Sequence, residues 1–261
     1  MPEPDPLLEA LYEGPMPAQL EESFRMIPRM WREEAFDHDG LIRVSPRPIH
    51  SSPLQKPHPP LFLACTHEAT LNQAGEWGVG ALCLGFAGPE DIAKKNRVYR
   101  AALARCTPAS RVGEVVNAHL SALCPALVLD DGTAARRIGL RGQRFFAEAI
   151  QHWYGSRPPP TLHEGEDDAA ALRENVDRVV AYLHEERIEI DTEVTGFANP
   201  NHAYGTTRDA IGYVERLLDA GADEIMFLMQ MGTVPHKAIL ETIQQLGSEV
   251  LPHFRTRAGR S

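Results

Sequence analysis

The chain alternates short apolar runs with stretches whose apolar residues recur at helical spacing. Two such runs lie close together, at residues 61–65 and 81–84, and a helical stretch from about His67 to Trp77 separates them and ends at Gly78. A short run without polar alternation is typical of a strand buried on both faces of a parallel sheet, and a glycine after the last apolar position is a common helix stop. The segment predicts one βαβ unit with a polar turn after its first strand.

The same alternation continues to the end of the chain. We expect two more strands in the same parallel sheet, at residues 114–123 and 224–232, and the second is again apolar enough to be covered on both faces. Before the βαβ unit we expect a turn at residues 36–40, a short strand at 41–44 and an extended, proline-rich connection over 46–60. Helical spacing predicts helices at residues 18–34, 89–106, 130–154, 167–187, 209–220 and 235–251. Gly205-Thr206-Thr207 caps the fifth of them.

Composition narrows the class of protein. The chain has 261 residues, of which 43% are hydrophobic, enough to fill one large core. The net charge is −10 and basic residues form no large cluster, which disfavours nucleic-acid binding. No apolar run approaches the roughly 20 residues of a membrane helix, and the proline-rich start lacks the features of a signal peptide. We expect a cytoplasmic protein with a proline-rich arm over residues 1–17, one α/β domain over 18–255 and a tail over 256–261.

Several kinds of site are disfavoured by the pattern of cysteine, histidine and glycine. The four cysteines form no CxxC pair and are expected to be reduced and buried, and only Cys65, beside Thr66 and His67, has a case as a catalytic thiol. The 11 histidines form no ligand cluster, so no metal site is predicted. Gly78-Val79-Gly80 precedes a strand instead of following one, which argues against a dinucleotide-binding loop.

The strongest candidate for chemistry is the turn after the first strand of the βαβ unit. In barrels of parallel βα units, functional residues gather at the carboxyl ends of the strands. Thr66, His67 and Thr70 lie there at a helix start, where free amides and the helix dipole favour a phosphate and the side chains add hydrogen bonds. The alternative is structural: Thr66 caps the helix and His67 faces solvent.

Two further stretches lie at predicted strand ends. Gly85-Phe86-Ala87-Gly88 follows the second strand, and its glycines allow a ligand to approach the backbone. Gln230 closes the last strand, where its amide can hydrogen-bond a planar ring and the sulfurs of Met229 and Met231 can pack on that ring. Core filling is the alternative for both methionines and is favoured for at least one of them. His202 and His236 lie in loops, where turn and helix-start roles compete with a pocket-facing role.

Motifs spread over residues 20 to 255 point to one family. The first half contains Trp31, Phe36 and Gly40, then Pro46-Arg47-Pro48 and Lys56-Pro57-His58-Pro59-Pro60-Leu61. The second half contains Gly205-Thr206-Thr207, Asp219-Ala220-Gly221-Ala222-Asp223, Gln230-Met231-Gly232 and Val250-Leu251-Pro252-His253-Phe254. In combination these segments resemble the luciferase-like flavin-dependent monooxygenases, from the region before the fifth barrel strand to the last helix.

The resemblance implies a TIM-type barrel that binds reduced flavin, either FMN or the deazaflavin F420, and that acts on a small organic substrate with molecular oxygen or by hydride transfer. Thr66, His67 and Thr70 fall where the family places contacts to the flavin phosphate, with His67 at a position where a small hydroxyl residue is frequent. The cofactor site expected from position and resemblance together consists of Thr66, His67, Thr70, Gly85, Phe86 and Gln230. No catalytic residue is assigned, because the family keeps its catalytic histidine at an early strand that has no counterpart here.

The resemblance also implies an incomplete barrel. A full family barrel needs about four βα units before the helix at residues 18–34, so this chain is expected to form about four strands with their helices. Three interpretations follow: the second half of a longer or split enzyme, a homo-oligomer that rebuilds a barrel-like sheet, or a non-catalytic relative that serves as an oligomerisation or interaction module. Open strand edges make association with a second copy or with a missing barrel half an expected property.

Overall fold

The protein contains one parallel β-sheet, against which helices pack, and a separate two-stranded antiparallel hairpin. The computed structural model describes residues 18–50, 52–155, 158–185 and 196–258. In chain order the elements are α1 (Ala18–Met30), β1 (Ala35–Asp39), β2 (Arg43–Pro48), β3 (Phe62–Cys65), α2 (Glu68–Trp77), β4 (Gly80–Leu84), α3 (Pro89–Leu103), β5 (Leu120–Val128), α4 (Gly132–Gly155), α5 (Asp168–Glu185), β6 (Ala203–Gly205), α6 (Thr207–Asp219), β7 (Glu224–Leu228), α7 (His236–Gln245), a π-helical turn (Leu246–Val250) and α8 (Leu251–Ala258).

The sheet confirms the predicted α/β class. Strands β3, β4 and β5 lie side by side, β5 also pairs with β6 and β7, and every one of these pairings is parallel. Among the described strands, β3 pairs only with β4 and β7 only with β5. The result is an open sheet of βα units, as expected for an incomplete barrel, with a free edge at each side.

The two faces of the sheet differ in burial. The register places side chains of one face against the helices, and on β3, β4 and β5 all of these are buried: Leu63, Cys65, Ala81, Cys83, Leu120, Ala122 and Cys124. On the opposite face, called here the inner face, most apolar side chains are half-buried or exposed: Phe62, Ala64, Leu82, Leu84, Leu123, Met226 and Leu228. The expectation that β3 and β7 are covered on both faces is therefore wrong, because nothing among the described residues covers the inner face fully.

The third strand lies later in the chain than the sequence predicted. Residues 114–119 form a loop, and β5 runs from Leu120 to Val128 through Pro125. A proline usually argues against a central strand because it has no N–H to donate. Here Pro125 lies between the residues that pair with β4 (Leu120–Leu123) and those that pair with β6 (Ala126–Val128). Because β5 changes its partner at this point, the strand can include a residue that has no N–H to donate.

Other differences lie at the two ends of the domain. The predicted turn at residues 36–40 is mostly strand β1, which pairs with β2 around a turn that begins at Gly40. The first helix ends at Met30, and Pro28 lies in its last turn. Strand β7 ends at Leu228, and the closing helix divides into α7, the π-helical turn and α8.

The three-residue strand β6 was not predicted at all. The proposed arm over residues 1–17 lies outside the described residues. Among those that are described, no helix is both long and apolar enough to cross a bilayer.

Candidate functional site

The first turn of α2 brings three predicted site residues together at the carboxyl end of β3. His67 is the N-cap, with extended backbone angles (φ −129°, ψ 160°), and α2 begins at Glu68. The Thr70 hydroxyl accepts a hydrogen bond from the N–H of His67 (3.2 Å) and donates one to the His67 carbonyl (2.8 Å). Capping by Thr66, the structural alternative, is therefore wrong, because the Thr70 hydroxyl closes this turn one residue later.

The exposure and chemistry of this turn suit an anion. Thr66 and His67 are exposed and Thr70 is half-buried. The amides of Glu68 and Ala69 belong to the first helical turn, where the helix itself offers no acceptor. The His67 side chain already accepts a hydrogen bond from the N–H of Thr70 through one ring nitrogen. Two free amides, the Thr66 hydroxyl and the other ring nitrogen of His67 remain as a donor set for a phosphate at the positive end of the helix dipole. The carboxylate of Glu68, also in this turn, is the one group here that opposes an anion.

Cys65, at the end of β3, is not a nucleophile. Its thiol lies in the outer core and donates to the carbonyl of Leu63 (3.3 Å). Burial raises the pKa of the Cys65 thiol to about 12, against smaller opposing effects from Thr70 and Lys95. A thiol with this pKa stays protonated at neutral pH and is a poor nucleophile.

The turn after β4 lies beside the turn after β3, since Cys65 and Cys83 are register partners. Gly85 donates its N–H to the Leu123 carbonyl (2.9 Å), and a Cβ at this position would collide with that same carbonyl. Gly88 has a φ of 95°, which favours glycine. The backbone of this turn thus comes close to β5 because two glycines allow it.

Phe86 lies in the same turn, but its side chain is unavailable to a ligand. Its ring is 1% exposed and packs against Phe146 and Phe197, with centroid distances of 6.1 and 4.7 Å. The backbone carbonyl of Phe86 accepts a hydrogen bond from the Asn199 side chain (3.0 Å). Any contribution of Phe86 to a binding site is therefore one of shape, through the turn that its ring anchors.

A buried ion pair supports this turn and was not predicted. The Lys95 ammonium lies 2.7 Å from the Asp91 carboxylate and donates to the Leu84 carbonyl at 3.0 Å, and both side chains are under a tenth exposed. The two residues are four apart on α3, so they share one helix face. That spacing was visible in the sequence, but nothing in it indicated that this face is buried.

A second unpredicted cluster surrounds His202, beneath the loop before β6. The His202 ring is 6% exposed and makes edge contacts with Phe86, Tyr204 and Tyr213. Its Nδ1 lies 3.5 Å from the Tyr213 hydroxyl. Burial lowers the pKa of His202 to about 4, so the imidazole is neutral at physiological pH.

Gln143 ties the same loop to α4. Its side-chain amide donates to the carbonyls of Phe197 (2.8 Å) and Asn199 (2.9 Å), and its oxygen accepts from the Tyr204 hydroxyl (3.1 Å). Sequence reasoning treated His202 as an ordinary loop residue. The burial of His202 depends in part on Phe86, which lies more than 100 residues earlier in the chain.

Gln230 is exposed just beyond β7, and His236 is exposed at the start of α7. Since β5 lies between β4 and β7, Gln230 is separated from the turns after β3 and β4 by at least one strand. The structure thus joins Thr66, His67 and Thr70 in one turn and places the Gly85 turn beside it.

One pocket lies away from these strand ends. It has a volume of about 370 Å³ and lies between α1 and the β1–β2 hairpin. Its central carboxylate, on Glu22, is already bound by the amides of Leu41 (3.0 Å) and Ile42 (2.7 Å) and by His38 (3.0 Å). In the described ranges, no three acidic, histidine or cysteine residues are grouped so that they could hold a metal ion.

The comparisons with known proteins agree with this fold. A family profile described as luciferase-like monooxygenase matches residues 16–183. Among solved structures, monooxygenase RslO1 from Streptomyces bottropensis is similar with a TM-score of 0.57 and 19% identity, over 95% of this chain and 66% of that one. The F420-dependent tetrahydromethanopterin reductase from Methanopyrus kandleri gives 0.56 and 17%, over 90% and 62%.

A third similar structure is the oxygenating constituent of 3,6-diketocamphane monooxygenase from Pseudomonas putida, solved in complex with FMN. It gives a TM-score of 0.58 and 14% identity, over 95% of this chain and 68% of that one. At these identities the likeness is one of fold. The chain spans only about two thirds of the length of these structures. No protein with a curated description matches the sequence.

Proposed function

Because the chain belongs to the luciferase-like monooxygenase family, whose structural relatives include FMN- and F420-dependent enzymes, we propose that it is a flavin-dependent oxidoreductase that binds the phosphate of FMN at the first turn of α2. The observation that carries the proposal is the donor set of this turn. It combines the free amides of Glu68 and Ala69 with the exposed side chains of Thr66 and His67, at the carboxyl end of a parallel strand.

The residues around this turn have separate roles in the proposal. Thr66 and His67 donate to the phosphate, while Thr70 fixes the His67 backbone so that the amides point outward. The Gly85 turn allows the flavin to approach the backbone, and Gln230 meets the far side of the ring. When bound, reduced FMN would supply the two electrons that, with two protons, split molecular oxygen so that one atom is transferred to a small organic substrate and the other leaves as water.

F420 is the second cofactor candidate, because one of the similar structures is an F420-dependent reductase. The opposing functional class is an interaction module that has kept the fold without the cofactor. A small organic substrate, the contacts of Gln230 and a cytoplasmic location stay predictions.

Fluorescence titration with FMN, riboflavin and F420 tests the proposal. Riboflavin has the same ring as FMN but no phosphate, so we expect FMN to bind at least about tenfold more tightly, since a hydrogen bond to a charged group contributes roughly 1.5–3 kcal/mol. Thr66→Val should weaken FMN binding by about the same factor. Glu68→Gln should strengthen it, because a carboxylate is removed from beside the phosphate.

The matched control is Thr207→Val. Thr207 opens α6, and the first turn of that helix is already capped by Thr206 and Asp209. We expect this variant to bind FMN like the parent protein. Equal affinities for FMN and riboflavin, or no binding of either flavin at millimolar concentration, would contradict the proposal and favour the interaction module.

A further inference from the structure

The peptide bond that leads from β4 into the following turn is held at both of its polar groups. The Gly85 N–H donates to the Leu123 carbonyl of β5 (2.9 Å). The Leu84 carbonyl, at the last residue of β4, accepts a hydrogen bond from the Lys95 ammonium of α3 (3.0 Å). The start of the turn is therefore fixed on one side by a strand and on the other side by a buried cation.

The Lys95 ammonium lies on the side of β4 that faces β3. In a trans peptide bond the C=O and N–H groups point in opposite directions, and the Gly85 N–H points toward β5. The Leu84 carbonyl and the ammonium bonded to it therefore lie toward β3. Burial raises the pKa of Cys65, the last residue of β3, and the charge of Lys95 opposes this rise. Lys95 thus lies between the carboxyl ends of β3 and β4, next to both turns of the proposed cofactor site.

Stability alone does not account for a buried ion pair at this place. The Lys95 ammonium lies 2.7 Å from the Asp91 carboxylate, and both side chains are under a tenth exposed. Taking two charges out of water costs free energy that their attraction often does not recover, so apolar residues of similar volume are frequently as stable as such a pair. An apolar side chain at this position of α3, however, has no donor for the Leu84 carbonyl. The ammonium is therefore better explained by the turn that it holds.

We propose that Lys95 is a positioning residue of the flavin site, which holds the Gly85 turn at a fixed distance from the Thr66 turn so that the flavin can lie against both. The inference rests on the proposed function. Asp91 compensates the charge of the ammonium, so Lys95 acts on the backbone of the turn and not on the phosphate. Loss of Lys95 should therefore weaken the binding of FMN and of riboflavin by the same factor.

Flavin titration of the double variant Asp91→Leu/Lys95→Met tests the proposal. Because both charges are removed together, no buried charge is left unpaired, and urea unfolding should show a free energy equal to or above that of the parent protein. The dissociation constants of FMN and riboflavin should both rise at least about tenfold, since the turn is no longer preorganised. The matched control Lys94→Met makes the same change at an exposed neighbouring residue of α3 and should leave both constants unchanged.

Hydrogen exchange at the Gly85 amide keeps the test decisive if the double variant does not fold. A turn that Lys95 holds in place is ordered before any ligand binds. In the flavin-free parent protein this amide should therefore exchange as slowly as the amides inside β4, and flavin should change its rate little. In a folded double variant its exchange should be at least about tenfold faster.

Several results would overturn the proposal: unchanged flavin affinity in the folded double variant, a joint loss of stability and affinity, or a larger loss for FMN than for riboflavin. It also fails if the Gly85 amide exchanges freely in the flavin-free parent protein and becomes protected only by flavin. If FMN and riboflavin bind the parent protein equally, the phosphate site is wrong, and the double variant still decides the role of Lys95. If neither flavin binds, the proposed function fails and this inference fails with it.

Discussion

Burial sets the charge state of individual side chains in this protein. His202 is held neutral among three aromatic rings, and the Cys65 thiol is held protonated in the outer core. Both effects follow from desolvation, which disfavours the charged form of either group. The sequence correctly predicted that Cys65, Cys83 and Cys124 are buried, but Cys106, which was also expected to be buried, is only half-buried. It did not indicate the burial of His202, because the loop from Asn199 to Asn201 is polar and one of the covering rings, that of Phe86, comes from a distant part of the chain.

The pH dependence of stability should reveal His202. Burial lowers its pKa from 6.5 in the unfolded chain to about 4, so the unfolded state binds the proton more readily at intermediate pH. The stabilisation is complete above pH 6.5 and is lost as pH falls toward 4, by about 3 kcal/mol in total. Urea unfolding of His202→Leu should show a shallower decline over this range. The exposed His236→Ala is the control, and parallel curves for the parent and His202→Leu would refute the assignment.

Thr242 provides a second prediction for a single residue. Its side chain is fully buried, and its hydroxyl accepts from the Val128 N–H (3.0 Å) and donates to the Ala238 carbonyl (2.8 Å). Thr242→Val keeps the shape but leaves the Val128 N–H without an acceptor, which should lower the free energy of unfolding by about 1–3 kcal/mol. Thr242→Ser should recover most of this loss in the same denaturation assay. If serine and valine destabilise equally, packing and not the hydroxyl is responsible.

At the scale of elements, helices were easier to predict than their connections. The helical spacing of apolar residues predicted the first residues of α4 and α5 to within two positions. The prediction works because each helix buries one apolar stripe against the rest of the domain. The ionic contacts between α4 and α5 could not be predicted from the sequence. Arg144 lies on α4, yet its partners Glu166 and Asp168 follow a proline-rich connection 22 and 24 residues later.

This ionic cluster fixes how α4 and α5 pack. The Arg144 guanidinium bonds to Glu148 (2.8 Å), Glu166 (2.7 Å) and Asp168 (3.0 Å), and its side chain is 9% exposed. Arg144→Met leaves three carboxylates without their shared cation, so we expect a loss of about 3 kcal/mol in the free energy of unfolding. Arg136→Met, which removes an exposed partner of Asp209, should cost less than about 1 kcal/mol in the same measurement. If both variants lost a similar amount of unfolding free energy, the buried cluster would contribute no more to stability than an exposed ion pair.

Strand boundaries were the least predictable elements. Alternation placed the third strand at residues 114–123, whereas β5 begins at Leu120 and continues through Pro125. Local signals favoured the earlier start and an end before the proline. The observed boundaries follow from strand pairing, because β4, β6 and β7 all pair with residues within 120–128. Such partners are contributed by distant parts of the chain and leave no local signal.

At the scale of the whole molecule, the sequence correctly predicted an α/β fold of parallel βα units in the luciferase-like family. It could not predict which face of the sheet is covered, because strands that are half-exposed and strands that are fully buried have the same apolar composition. The inner face shows this ambiguity: Leu82 and Met226 look like core residues in the sequence but are half-buried in the structure. The proposed cofactor turn lies at one rim of this face.

The central claim is that the first turn of α2 binds the phosphate of the flavin. Hydrogen exchange at the Glu68 and Ala69 amides, measured with saturating FMN and again with riboflavin, tests it most directly. We predict that FMN slows exchange at these two amides at least about tenfold, because each donates to a phosphate oxygen, and that riboflavin leaves them unchanged. The claim would be contradicted if FMN bound without slowing exchange at either amide, or if riboflavin protected both to the same extent.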